Sequence, residues 1–210
     1  MFVGAFLLVA LGAYLLGSFP TGYLVGRAKG LDIRAHGSGN IGATNAFRLL
    51  GKPAGILVLL TDACKGALAV LLLPALAALW WPEADPVTLR LIAALGAVLG
   101  HNYTCWLRFK GGKGIATSAG VLAALVPYAF LITLAVFLTI LAASRYVSLA
   151  SILAAAALPA ATWITLAPLP VLGLTSLLSV LAIWKHRPNI RRLLAGTEHR
   201  LGSNRTSTTA

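Results

Sequence analysis

Two glycine-rich segments hold most of the residues in this chain that could do chemistry. The first, RAHGSGNIGATNAFR at residues 34–48, sets Gly37, Gly39, Ser38, Asn40, Thr44 and Asn45 between Arg34 and Arg48. The second, FKGGKGIAT at 109–117, sets Gly111, Gly112 and Gly114 around Lys113. Glycines let a ligand approach backbone N–H groups, and such concavities and helix N-termini bind anions. Arg48 adds a planar guanidinium that can grip phosphate with two bonds, and Lys113 adds a point charge. Ser38, Thr44 and Asn45 offer hydrogen bonds to sugar or glycerol oxygens. Two such loops predict two bound anions, or one ligand with two phosphate groups. Further polar segments follow at SRYVSLASI (144–152) and KHRPNIRRLLAGTEHR (185–200). In the latter, His186 and Asn189 lie three apart, which a helical turn brings to one face.

Several familiar chemistries are excluded. GSGNIG at 37–42 matches G-x-G-x-x-G, and Asp62 falls 20 residues later. A dinucleotide fingerprint needs a strand before it and a helix after it, whereas apolar segments flank this one and Asp62 lies in one of them. The second loop is no Walker A motif. Leu107 stands where the first glycine belongs, and Gly114 replaces the Ser or Thr that holds Mg²⁺. None of His36, His101, His186 and His199 begins a His-x4-Asp acyltransferase pattern, and no G-x-S-x-G elbow is present. No His, Cys and Asp cluster has metal-ligand spacing, so neither metal nor cofactor nor nucleotide is expected. Cys64 and Cys105 form no disulfide framework and read as small embedded residues. His101 reads as a buried histidine satisfied by a neighbour. Asp62 and Lys65, three apart in an apolar run, read as a structural pair.

The elements that must position these loops are membrane helices. The chain has 210 residues, of which 59% are hydrophobic and only 10% charged. Residues 1–26, 115–143 and 148–184 carry no charge, and each is long enough for at least one span of about 20 residues. The first run lacks a basic segment before it and is followed by Arg27 and Lys29, so it reads as a retained helix. Further spans are predicted from about Pro53 to Leu79 and from about Thr88 to Trp106. The run 115–143 is expected to break near Pro127, and 148–184 at Pro168 and Pro170. The result is an all-α polytopic membrane protein, residues 1–210 as one domain, with seven spans, one or more short or partial. Its N-terminus is expected outside and its C-terminus in the cytoplasm. That arrangement puts all but two of the 17 basic residues on the inner side, as the positive-inside rule requires. The net charge of +12 therefore reports orientation, and contact with the bilayer, rather than nucleic acid. All four polar segments fall on that same cytoplasmic side.

Taken together, GSGNIGATNAFR, GHNYTCWLRFKGGKGIAT, RYVSLASI and HRPNIRRLLAGTEHR resemble the motifs of the bacterial acyl-phosphate:glycerol-3-phosphate acyltransferase family (PlsY), in the same order and at similar spacing. The resemblance implies a cytoplasm-facing site in the bacterial inner membrane and transfer of a fatty acyl group from acyl phosphate to the 1-hydroxyl of glycerol 3-phosphate. The products would be lysophosphatidic acid and phosphate, beginning phospholipid synthesis. Position by position it implies catalytic roles for Ser38, Arg48, Lys113, Ser151, His186 and Asn189. Substrate contacts fall to Gly37, Gly39, Asn40, Thr44, Asn45, Gly111, Gly112, Gly114 and Ser148. One departure is visible: the family more often has proline where Thr104 stands, three residues after His101.

Overall fold

The structure is a computed structural model that describes residues 2–202; Met1, and Arg205 of the basic tail, lie outside the described residues. Among the described residues every regular element is helical. The helices are α1 (Val3–Ser18), α2 (Thr21–Ala28), α3 (Ala43–Leu50), α4 (Lys52–Ala78), α5 (Pro86–Asn102), α6 (Ile115–Leu125), α7 (Pro127–Ser144), α8 (Val147–Ile164), α9 (Leu169–Lys185) and α10 (Arg187–Leu194), with a short 3-10 turn at Cys105–Leu107.

Proline sets many of the boundaries. It occupies the first turn of α4, α5, α7, α9 and α10, where its missing N–H costs nothing. Pro127 holds the preceding Val126 at φ −140°, ψ 68°, outside the helical region, so α6 and α7 part where expected. Pro20 divides the first apolar run into α1 and α2, a break not anticipated. The loop 27–52 also contains a helix, α3, that was not foreseen.

Four segments are long and apolar enough to cross a bilayer: Val3–Ala28, Lys52–Ala78, Pro127–Ser144 and Val147–Ile164. A fifth arises if α9 and α10, bent by 55°, count together. Packing follows membrane rules. Alanine and valine fill the interior, among them Ala5, Val9, Ala13, Ala69, Val70, Ala93 and Ala97, while Leu11, Leu60 and Leu131 point outward. Hydrocarbon solvates leucine as well as a protein interior does, so close backbone approach drives assembly instead. α1 crosses α5 with Gly17 against the Ala97 carbonyl and Gly100 against that of Tyr14. α4 crosses α6 with Gly66 against the Thr117 carbonyl and Gly120 against that of Ala63. A methyl at any of these four positions would collide with backbone.

The Asp62–Lys65 pair serves the break at Pro20. The Lys65 ammonium contacts Asp62 Oδ1 at 2.8 Å and donates to the Phe19 carbonyl at 2.9 Å. That carbonyl lies just before the proline. Thr21, opening α2, donates to Asp62 Oδ1 at 3.3 Å. All three side chains are buried. Two charges far from water are tolerated because each is paired, which agrees with the structural reading of this pair.

Candidate active site

The first glycine-rich loop is built around Asn45. This side chain opens α3, is 1% exposed and uses its whole amide inside the loop. Its Nδ2 donates to the carbonyls of Ile33 at 2.9 Å, Asn40 at 2.9 Å and His36 at 3.3 Å. Its Oδ1 accepts from the backbone N–H of Ser38 at 3.0 Å and from Arg48 at 3.4 Å. Gly37 and Gly39 take φ of +60° and +67°, which the tight winding around Asn45 requires. Asn40 in turn accepts from the N–H of Gly42 at 2.8 Å. Asn45 thus clasps the loop from within, with its amide bonded to the loop's own backbone and to Arg48. Arg34 is also diverted. It makes a two-bond ion pair with Asp32 and lies over the Tyr23 ring. The hydrogen bonds from Arg34 hold the Asp32 carboxyl down at about 2.

The second loop caps a helix. The last carbonyls of any α-helix lack internal partners. At the end of α5, Gly112 N–H donates to the His101 carbonyl at 3.0 Å and Gly111 N–H to the Asn102 carbonyl at 3.3 Å. Lys185 also reaches the Asn102 carbonyl, at 3.1 Å. This closure ends α5 at Asn102 rather than Trp106. Two of the N–H groups expected to cradle an anion are therefore spent on protein. Thr104 resolves the departure from the family pattern. Its φ of −62° is one proline would adopt, and its hydroxyl ties the turn to the Ser18 carbonyl at 2.6 Å.

The loop delivers Lys113 to the corner between α9 and α10. Its ammonium donates to Asn189 Oδ1 at 2.5 Å. Burial pushes the Lys113 amine down to about 8, with neighbouring Arg192, Arg48 and Lys185 pushing the same way and Glu198 opposing. Glu198 organises this corner. It accepts from Asn189 Nδ2 at 2.8 Å, Arg192 Nε at 2.7 Å and Ser148 Oγ at 3.0 Å. Burial raises its carboxyl, but these three donors outweigh it and leave the group below its ordinary value. The tail is pinned further by Leu201 N–H, which donates to the Arg145 carbonyl at 2.8 Å, and by Arg200 over the Tyr146 ring.

A cavity of about 240 Å³ opens between these parts, lined by Ser38, Gly39, Asn40, Gly111, Gly112, Lys113, Trp184, Lys185, Arg187, Pro188, Asn189 and Arg192. Four of these residues are cationic and none is acidic. Ser38, Gly39, Asn40, Gly111, Gly112, Lys113 and Asn189 were named from the sequence. Others named there do not line the cavity: Gly37, Thr44, Asn45, Arg48, Gly114, Ser148, Ser151 and His186. Arg48 stands close enough to influence Lys113. Ser148 is bound to Glu198. Ser151, one turn deeper in α8, donates to the Val147 carbonyl at 2.8 Å. His186 is buried at the bend before α10, with Nδ1 2.8 Å from the Ala182 carbonyl. A carbonyl only accepts, so Nδ1 carries the proton and Nε2 is left as the base nitrogen.

Lys185, Arg187, Arg192 and Glu198 were not singled out by sequence reasoning. Glu198 left one signal: it is the sole acid in a strongly basic tail.

The sequence profile described as glycerol-3-phosphate acyltransferase matches residues 7–196. A glycerol-3-phosphate acyltransferase of Synechococcus sp. is 51% identical over 95% of this chain and 96% of its own. One of Geobacter sulfurreducens is 51% identical over 90% and 93%. Crystal structures of the integral membrane glycerol 3-phosphate acyltransferase PlsY are similar in fold. The glycerol 3-phosphate form has a TM-score of 0.85 at 41% identity, covering 94% of this chain and 96% of that one. The lysophosphatidic acid form has a TM-score of 0.82 at 40% identity. This helical membrane protein, with its cation-walled cavity at one end of the bundle, belongs to the PlsY family of glycerol-3-phosphate acyltransferases.

Proposed function

We propose that the protein transfers a fatty acyl group from acyl phosphate to the 1-hydroxyl of glycerol 3-phosphate. Lysophosphatidic acid and inorganic phosphate are the products, and the step is the first acylation of phospholipid synthesis. The observation that supports this reading best is the cavity walled by Lys113, Lys185, Arg187 and Arg192 without one acid. Such a site holds anions side by side. The solved relatives are a glycerol 3-phosphate form and a lysophosphatidic acid form, and both molecules are phosphate esters.

Acyl phosphate is a mixed anhydride with a good leaving group, so no strong protein nucleophile is needed. The C1 oxygen of glycerol 3-phosphate attacks the acyl carbon. The bond from that carbon to the phosphate oxygen breaks, and the electron pair leaves with phosphate. The hydroxyl proton passes to His186 Nε2 or to a substrate phosphate. Lys113 and Arg48 stabilise charge on phosphate and carbonyl oxygens as it develops. Ser38 and Asn189 orient the glycerol moiety. Ser151, its hydroxyl held by the Val147 carbonyl, supports α8 beneath the site, and Ser148 acts through Glu198. The scheme uses no metal, nucleotide or other cofactor.

In this reading residues 1–210 form one membrane domain with seven spans. These are α1 with α2, α4, α5, α6, α7, α8 and α9. α6 has 11 residues and rises only about 16 Å, so it is a partial span. The N-terminus is outside and the site faces the cytoplasm from the inner membrane. The distribution of Lys and Arg supports that orientation.

Purified protein given glycerol 3-phosphate and, in turn, acyl phosphate, acyl-CoA or acyl carrier protein tests the proposal. Lysophosphatidic acid should form from acyl phosphate alone. Product from acyl-CoA with acyl phosphate left intact would overturn the donor assignment. A C-terminal reporter should be active only in the cytoplasm.

A further inference from the structure

Lys113 depends on a contact that its own loop does not contain. A side-chain methyl on Gly112 would overlap Nε2 of His101 and stand 3.0 Å from both Cδ2 and Cε1 of the same ring. Its three nearest obstacles are thus all one side chain. The same histidine supplies the carbonyl that Gly112 N–H caps. His101 is 4% exposed. Its Nδ1 has no hydrogen-bond partner and faces Asp62 Oδ1 across 3.7 Å. The ring therefore stands between the buried Asp62–Lys65 pair on one side and the residue before Lys113 on the other.

We propose that His101 is a positioning residue for Lys113: its ring is the stop against which Gly112 seats. Position 112 is glycine because of that ring and not because a phosphate must approach its backbone. The N–H that a phosphate would seek is already bound to the His101 carbonyl. This inference rests on the reading of Lys113 as a substrate-binding lysine. It does not require that the acyl donor be acyl phosphate.

The test is a double-mutant cycle on the full-length protein in detergent, reading KM for glycerol 3-phosphate, kcat and Tm. Gly112→Ala should raise KM about tenfold or more, because the methyl pushes the loop off its seat. His101→Ala removes the stop and should raise KM only about threefold. The Gly112→Ala/His101→Ala protein should then bind substrate several-fold better than Gly112→Ala alone, since the collision is gone. Gly112→Ala/His101→Asn should recover likewise, because asparagine keeps a polar group near Asp62 and lacks the atoms at Nε2. A double variant as impaired as the product of the singles would overturn the proposal. So would unchanged KM in Gly112→Ala.

If Gly112→Ala does not fold, recovery of monodisperse protein and Tm in the double variants carries the same test, and failure to recover overturns it. A readout free of catalysis separates this inference from the proposed function. The rate at which acetic anhydride acetylates Lys113 at pH 8, followed by mass spectrometry, should change in Gly112→Ala and return toward wild type in the double variants. Coupling in Tm and labelling without any acyl transfer would sink the function and leave the positioning role standing.

Discussion

The two glycine-rich loops share a composition but are held by different means. The loop at 34–48 is locally encoded. One side chain, Asn45, gathers partners no more than twelve residues away. The loop at 110–114 is encoded by a neighbour. Gly111 and Gly112 close on the end of α5, and the His101 ring fixes their seat. In both loops the glycines and N–H groups serve the protein's own packing first. The charge that faces the cavity comes from side chains, those of Lys113, Lys185, Arg187 and Arg192.

Four changes sharpen that contrast, in falling order of effect. Asn45→Ala strips the first loop of its clasp and leaves several buried backbone groups without partners. Each such group costs about 1–3 kcal/mol. Activity should fall about a hundredfold, with easier proteolysis confined to residues 34–48. Full activity would show that the loop holds its shape without Asn45.

Glu198→Gln keeps the shape of the corner around Lys113 but removes the negative charge that pairs with Arg192. Charge-assisted bonds contribute about 1.5–3 kcal/mol, so kcat/KM should drop roughly ten- to a hundredfold. Ser148→Ala, which removes only one of the three donors to Glu198, should lose less.

The pH dependence separates the loops further, because only the second carries a lysine held near 8. Its folded value lies below that of a free lysine. The buried ammonium therefore costs stability below pH 8, and this cost fades as pH rises past 8 toward the unfolded value. A phosphate ligand favours the ammonium form. KM for glycerol 3-phosphate should therefore rise above about pH 8, by at most tenfold per unit. A flat KM from pH 7 to 10 would remove Lys113 from substrate binding.

Thr104→Pro should change least. The backbone already suits proline. Loss of the bond to Ser18, about 1 kcal/mol, is offset by a stiffer unfolded chain worth about 0.4–1 kcal/mol. A Tm within a few degrees of wild type is expected.

Much of this was legible in the sequence because membrane helices announce themselves. Long apolar runs and prolines gave α4, α7, α8 and the breaks at Pro127 and Pro168. Glycine, lysine and asparagine in short polar stretches pointed to the cavity, and Ser38, Lys113 and Asn189 do line it. What was missed depends on contacts between distant residues. Lys113 meets Asn189 across 76 positions, and Ser148 meets Glu198 across 50. Periodicity says nothing about such pairs. The seat of Gly112 on His101 was hidden for the same reason. Helix α3 escaped because eight amphipathic residues between two apolar runs look like part of a polar loop. The break at Pro20 escaped because the run around it is apolar on both sides.

In the proposed function, a buried lysine on a neighbour-held loop binds and activates phosphate for acyl transfer. Lys113→Ala, assayed with acyl phosphate and glycerol 3-phosphate beside wild type, tests it most directly. A loss of about 10²–10³-fold in kcat/KM is expected, with Tm preserved because a lysine that burial disfavours is not needed for folding. Activity within a few-fold of wild type in a folded Lys113→Ala protein would contradict it.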